Sequence, residues 1–310
     1  MIPYEAGLIL RALRKQKHIS QSDMCKGICN VSMASRIETG ERIPSRKIIE
    51  ALFSRIGETP PHDKILMYRH DFEMRNLEYK IIGKISEEKY EIEDLLSSYR
   101  SLHEELTPLE TQFYEHYYAL FLNRNGTERE KALNLLVSAL KITVKDFSIS
   151  SFSSQKLYTT MEIGILNSIA NLLYYGFDEK KRAIEFLEKI HTYFERPFIN
   201  RAAIAATYAV ILFNLSNWLG LEKDTKRALE YATKGLEISV DYGKLELVPL
   251  LLFNKGYLLA QLGNRKLAEE NLKKSFLFFD EMNMHERVSY AAPILNKEFG
   301  FQFLEKKSDF

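Results

Sequence analysis

Cysteine is nearly missing from this chain, which has only Cys25 and Cys29 in 310 residues. Two thiols make no disulfide scaffold, and a zinc site takes about four ligands. Only His18 lies nearby in sequence, so the i, i+4 pair reads as core packing in a reducing compartment. Helix breakers are scarce too. Eight Pro and 14 Gly leave few interruptions, which favours an all-helical chain. No run approaches 18 uncharged apolar residues, the length that suggests a membrane span. The segment Met1-Ile2-Pro3-Tyr4-Glu5 lacks a basic stretch followed by an apolar core. The expected location is therefore the cytoplasm, with no membrane partner. The His residues (18, 62, 70, 103, 116, 191 and 285) show no HExxH spacing, and there is no phosphate loop, G-x-S-x-G elbow or Cys/His nucleophile pairing. Neither an enzyme site nor a cofactor is expected.

What is present is asymmetric. The formal net charge is +1, yet residues 1–57 carry 10 Lys+Arg against 5 Asp+Glu and the remainder 33 against 37. A small basic segment joined to a mildly acidic body suits one part that meets phosphate and another that does not. The chain is long enough for two domains or one extended repeat array.

Residues 5–57 read as five short helices. The first spans about 5–16, with Leu8, Ile9, Ala12 and Leu13 on one stripe. Ser20 is a candidate N-cap for a second helix reaching about Lys26, with Asp23 placed as in a capping box and Gly27 supplying a left-handed turn. Asn30 caps a third, Val31 to Glu38, which Gly40 closes; Pro44 and Ser45 open a fourth, whose Ile48, Ile49, Leu52 and Phe53 return to the core. Two short helices joined by a tight turn, the second beginning with small polar residues, form a helix-turn-helix.

The stretches Leu13-Arg14-Lys15, Ser20-Gln21 and Ser35-Arg36-Ile37-Glu38-Thr39-Gly40-Glu41-Arg42-Ile43-Pro44-Ser45 resemble the Cro/C1-type repressor domain. A recognition helix enters the major groove by its N-terminal end, so Asn30, Val31, Ser32, Met33 and Arg36 lie nearest the base edges. Arg36 suits either a guanine edge or a phosphate. Gln21 opens the second helix, where its amide is placed to bind phosphate. Lys15, Lys17, Arg42, Arg46 and Lys47 are expected as a group of phosphate contacts. The resemblance implies that Arg14 and Glu38 form a structural salt bridge and do not touch DNA.

Thr59-Pro60-Pro61 marks a boundary, with a connecting helix from near His62. The expected division is 1–58 for the DNA-binding domain, 59–68 for a linker, 69–283 for about five tetratricopeptide-like units, and 284–310 for a capping helix and tail. Glycine at the end of one helix is followed by alanine in the next: Gly176 and Ala183, Gly220 and Ala228, Gly263 and Ala268. The clearest unit runs from Asn254 to Gly263 and on through Ala268, Leu272 and Ser275; its small residues Gly256 and Ala268 permit close helix approach. Units are placed at 69–104, 108–143, 156–194, 200–241 and 246–280. The fold class is all-α: a lambda-repressor-like module followed by a right-handed superhelix with the first helix of each pair on its inner face.

Asparagine recurs on those first helices: Asn167 and Asn171, Asn214 and Asn217, then Asn254. Asn is a mediocre helix former, and its amide is both donor and acceptor, suited to clamping the backbone of an extended peptide. The alternative is solvent-exposed or turn-proximal Asn with no ligand. Tyr174, Tyr208, Phe213 and Tyr257 read as pocket lining or core.

With Asn167-Ser168-Ile169-Ala170-Asn171 and Phe278-Phe279-Asp280-Glu281-Met282-Asn283-Met284-His285, the chain resembles the RRNPP family of peptide-responsive quorum-sensing regulators, PlcR type. That resemblance implies a homodimer on a pseudo-palindromic operator in double-stranded DNA, with a short reimported peptide as effector. It implies Asn167, Asn171, Asn214 and Asn254 as peptide contacts, with a basic residue of the first unit, Lys84 or Lys89. The competing readings are a repeat adaptor for a protein and a DNA-binding regulator governed by a protein partner.

Overall fold

The computed structural model describes residues 4–61, 64–65, 69–86 and 91–301. Among these the chain is all-α. It divides into two compact units, residues 1–204 and 205–310.

Unit 1 begins with four helices, where the sequence suggested five: α1 Glu5–Gln16, α2 Gln21–Cys25, α3 Val31–Glu38 and α4 Arg46–Arg55. Their ends follow local chemistry. The Ser20 hydroxyl accepts from the Asp23 backbone N–H at 3.0 Å, and Asn30 Oδ1 accepts from the Met33 N–H at 2.8 Å. Each cap satisfies a donor that the first turn leaves unpaired. The buried faces meet in one core through Leu10, Met24, Ala34, Ile37, Ile49, Leu52 and Phe53. Leu157 and Phe198, far along the chain, pack against that same core.

Helix pairs follow: α5 Arg69–Ser86 with α6 Glu93–Ser101, α7 Pro108–Leu122 with α8 Arg129–Thr143, and α9 Thr160–Asn171 with α10 Lys180–Phe194. The expected start of the connecting helix at His62 lies outside the described residues. In α8 the buried residues Ala132, Leu136, Ala139, Leu140 and Thr143 fall at helical spacing and pack on α7. Thr159 and Glu162 make a capping box at the start of α9, with the Thr159 N–H donating to Glu162 Oε2 at 2.7 Å. A single π-turn, Leu172–Gly176, succeeds Asn171.

Helix α11, Arg201–Leu221, leads into unit 2, which continues with α12 Thr225–Asp241, α13 Val248–Gln261, α14 Arg265–Glu281 and α15 His285–Phe299. The α13/α14 pair is tight because of Gly256, where a Cβ would lie 2.7 Å from Leu272 Cγ and 3.1 Å from the Ala268 carbonyl oxygen. Residues 202–221 carry no charge, and α11 is long and apolar enough to cross a membrane, with mean hydropathy 1.4. That corrects the reading that no run comes near such a length. More than half of the stretch is buried within the protein, and a helix apolar on all sides is one way to fill a core.

Candidate DNA-reading face and peptide-binding helices

The N-terminal end of α3 is open to solvent: Asn30, Val31, Ser32 and Arg36 are exposed, while Met33 is partly packed against the core. Arg42 is exposed on the following turn. Arg36 stands 3.9 Å from Glu41, an exposed pair of a kind that contributes little and leaves the guanidinium available. Behind this face Arg14 Nε lies 2.5 Å from Glu38 Oε1 and Arg14 Nη2 lies 2.9 Å from Oε2. The pair is buried and bidentate, so it fixes α1 against α3. Gln21 donates its amide to Glu38 at 2.6 Å and is thereby drawn into this internal network.

Arg46 and Lys47, expected among the phosphate contacts, are placed differently. Both turn toward Glu78 of α5: Arg46 Nη2 is 2.8 Å from Oε2 and Lys47 Nζ is 2.5 Å from Oε1. Tyr99 donates to Oε1 as well, at 3.1 Å. Burial works against the Glu78 charge, but Lys47 and Arg46 outweigh it and hold the carboxyl below its usual range. Lys17 is also withdrawn from the surface, with Nζ 2.6 Å from Glu58 and donating to the Phe198 carbonyl at 2.6 Å. Lys15 remains exposed.

These contacts belong to a seam between the helix-turn-helix and the repeats of unit 1, where α4 packs on α7 and α9. Its most buried link joins Arg55 Nη2 to Glu162 Oε1 at 2.6 Å, with side chains 3% and 0% exposed. The turn at Gly27 completes it. There φ is +76°, and a Cβ would fall 2.0 Å from the Thr143 carbonyl oxygen. The sequence showed Gly27 as a turn former and gave Glu162 no role; the partners of both, more than 100 positions away, carried no local signal.

In unit 1, Asn167 and Asn171 are half-buried on α9, and Asn171 Nδ2 donates to the Asn167 carbonyl at 2.9 Å. The π-turn begins at the next residue, and such turns are frequent at functional sites. In unit 2, Asn214 is buried on α11 and Asn254 half-buried on α13. A cleft of about 70 Å³ between those helices is lined by Ser216, Asn217, Lys223, Asn254, Tyr257 and Gln261, among others. Two atoms of this lining, Asn254 Nδ2 and Ser216 Oγ, are shielded from solvent without a hydrogen-bond partner. A shielded donor without an acceptor is costly. Lys89 lies outside the described residues, and Lys84 is in the last turn of α5.

Cys25 is buried and Cys29 half-buried. Burial, the larger cause, pushes the Cys29 thiol up to about 11, so the reactive thiolate is disfavoured. Among the described residues no group of three His, Cys, Asp or Glu is placed to hold a metal.

Residues 10–62 match the helix-turn-helix family, and residues 140–298, more than half of the chain, match the RNPP family C-terminal domain. The chain belongs to the RNPP family. It is a DNA-binding regulator of that family, with an N-terminal helix-turn-helix and tetratricopeptide-like pairs. Among solved structures, this RNPP chain is similar to Bacillus thuringiensis PlcR in complex with the peptide PapR7 and DNA, at 22% identity and a TM-score of 0.62, covering 92% of this chain and 98% of that one. It is also similar to the apo form of PlcR from the same organism, at 20% identity and a TM-score of 0.59, covering 95% and 99%. At these identities the likeness is one of fold. No curated protein matches.

Proposed function

We propose that this RNPP regulator binds operator DNA through the exposed end of α3 and binds a short signalling peptide on the first helices of its repeats, with peptide occupancy altering the geometry of a homodimer and hence its grip on DNA. The proposed DNA contacts are Asn30, Val31, Ser32, Met33, Arg36 and Arg42, with Gln21 at the edge of that face. Arg46 and Lys47 are left out, because cations already neutralised by a buried carboxylate gain little from phosphate. The proposed peptide contacts are Asn167 and Asn171 in unit 1, and Asn214 and Asn254 in unit 2. A similar fold has been solved with a peptide and DNA together, which supports the reading.

The observation that carries the peptide reading is the unpaired Nδ2 of Asn254 at the cleft between α11 and α13. A carbonyl of an extended peptide is the acceptor this donor lacks. The test is calorimetry of the full chain with synthetic copies of the short peptides encoded beside its gene. Asn254→Ala is expected to weaken the bound peptide by about 1–3 kcal/mol, roughly 5- to 150-fold. Parent-like binding by that variant would remove the assignment.

A further inference from the structure

A cavity of about 470 Å³ opens in unit 1 where the helix-turn-helix meets the repeats. The helix-turn-helix lends it Lys17, His18, Lys26 and Arg55, and the repeats lend Lys156 and Arg196. Three of these cations already have carboxylates: Lys17 has Glu58, Arg55 has Glu162 and Lys156 has Asp146, each at 2.6 Å. The remaining acid of the lining, Asp23, accepts from the Ser20 hydroxyl in the α2 cap. Two cations are left over. Arg196 makes no ion pair among the described residues, and Lys26 feels Asp146 only at longer range. Against them stands the single carboxylate of Asp23, so the lining keeps one positive charge in surplus.

Arg196 is also held in place before any ligand arrives. Its Nη1 donates to the carbonyls of Ser154, Gln155 and Lys156 at 3.2, 3.0 and 3.3 Å. The guanidinium lies 4.5 Å from the centre of the Phe198 ring. A side chain ordered in advance costs a ligand little further ordering. Beside it Arg55, 3% exposed, keeps a buried Nε with no hydrogen-bond partner.

We infer that this cavity is a second ligand site, separate from the helix faces proposed for peptide, and that it takes a phosphorylated small molecule of about nucleotide size. The volume is that of a small-molecule site, roughly 300–1,000 Å³. A phosphate monoester carries about −1.5 to −2 charge, which the surplus positive charge beside Lys26 and Arg196 attracts, and the guanidinium fork of Arg196 suits its oxygens. The ligand would touch both sides of the seam. It would therefore favour the docked arrangement of the DNA-binding module by its differential affinity for that arrangement.

The test is calorimetry of the full-length chain with AMP and inorganic phosphate, using adenosine as the phosphate-free control and Arg36→Ala as the control for the DNA-reading face. AMP is expected to saturate one site per chain and adenosine to bind at least about tenfold more weakly. Lys26→Gln and Arg196→Gln should each weaken AMP roughly tenfold to a hundredfold. Lys26 is exposed, so its variant reports even if Arg196→Gln does not fold. The inference is overturned if neither AMP nor phosphate binds, if adenosine binds as well as AMP, or if the variants bind AMP like the parent. It is equally overturned if Arg36→Ala weakens AMP as much as Lys26→Gln does, because the phosphate would then lie on the DNA-reading face.

Discussion

At the scale of single residues, Arg55 and Glu162 show how one side chain serves two levels of structure. Glu162 Oε2 accepts from the Thr159 N–H and closes the capping box of α9, while Oε1 meets Arg55. Removing Arg55 would leave a wholly buried carboxylate with its cap and no counter-charge. Arg55→Ala is expected to destabilise unit 1 by about 3–5 kcal/mol. The double change Arg55→Met with Glu162→Gln keeps an acceptor for the cap and removes the buried charge, so most of the loss should return. Denaturant unfolding of the parent and both variants measures this; an Arg55→Ala protein as stable as the parent would show that the pair contributes nothing. The Thr-x-x-Glu spacing that makes the cap is readable in the sequence. The guanidinium it reaches, 107 positions earlier, is not.

At the scale of elements, caps and turns were legible because their chemistry is local. Ser20, Asn30, Gly27 and Gly40 punctuate α2 and α3 where their side chains or their lack of one require it. In the repeats the small residues Gly256 and Ala268 marked the close approach of α13 and α14. Gly27 is the element where the local reading was incomplete, since a left-handed φ alone would admit Asn at modest cost. The Thr143 carbonyl oxygen, 2.0 Å from a built Cβ, admits no side chain unless the turn moves away from α8. Gly27→Ala should therefore cost more than the about 1–3 kcal/mol of a strained φ, and it should open the seam. Limited proteolysis within residues 56–61 checks it: faster cleavage than in the parent is expected, and an unchanged rate would mean that the turn does not hold the module. The cationic character of α4 was misleading for the same reason. Charge composition reports how many cations a segment holds, whereas burial against Glu78 decides which of them can meet phosphate.

At the scale of the whole molecule, the helix-turn-helix does not stand apart within unit 1. Its core takes in Leu157 and Phe198, and α4 lies on α7 and α9. Hydrogen exchange in the native state should then show the amides of α4 and α9 opening with the same free energy, as one cooperative block. Markedly earlier exchange across α1–α4 would mean that the module is only loosely attached. The sequence by itself determined the all-α class, the four placed helices of the N-terminal module, the helix pairs and the asparagines on their first helices. Each of these is set by periodicity, capping or turn residues within a few positions of one another. Only the tertiary structure decided which cations of the basic N-terminal segment stay available to DNA. Arg36 and Arg42 remain exposed, while Lys17, Arg46, Lys47 and Arg55 are bound into the seam by carboxylates and carbonyls from distant parts of the chain. An ion pair of that range depends on burial and geometry, and neither is written in the spacing of residues.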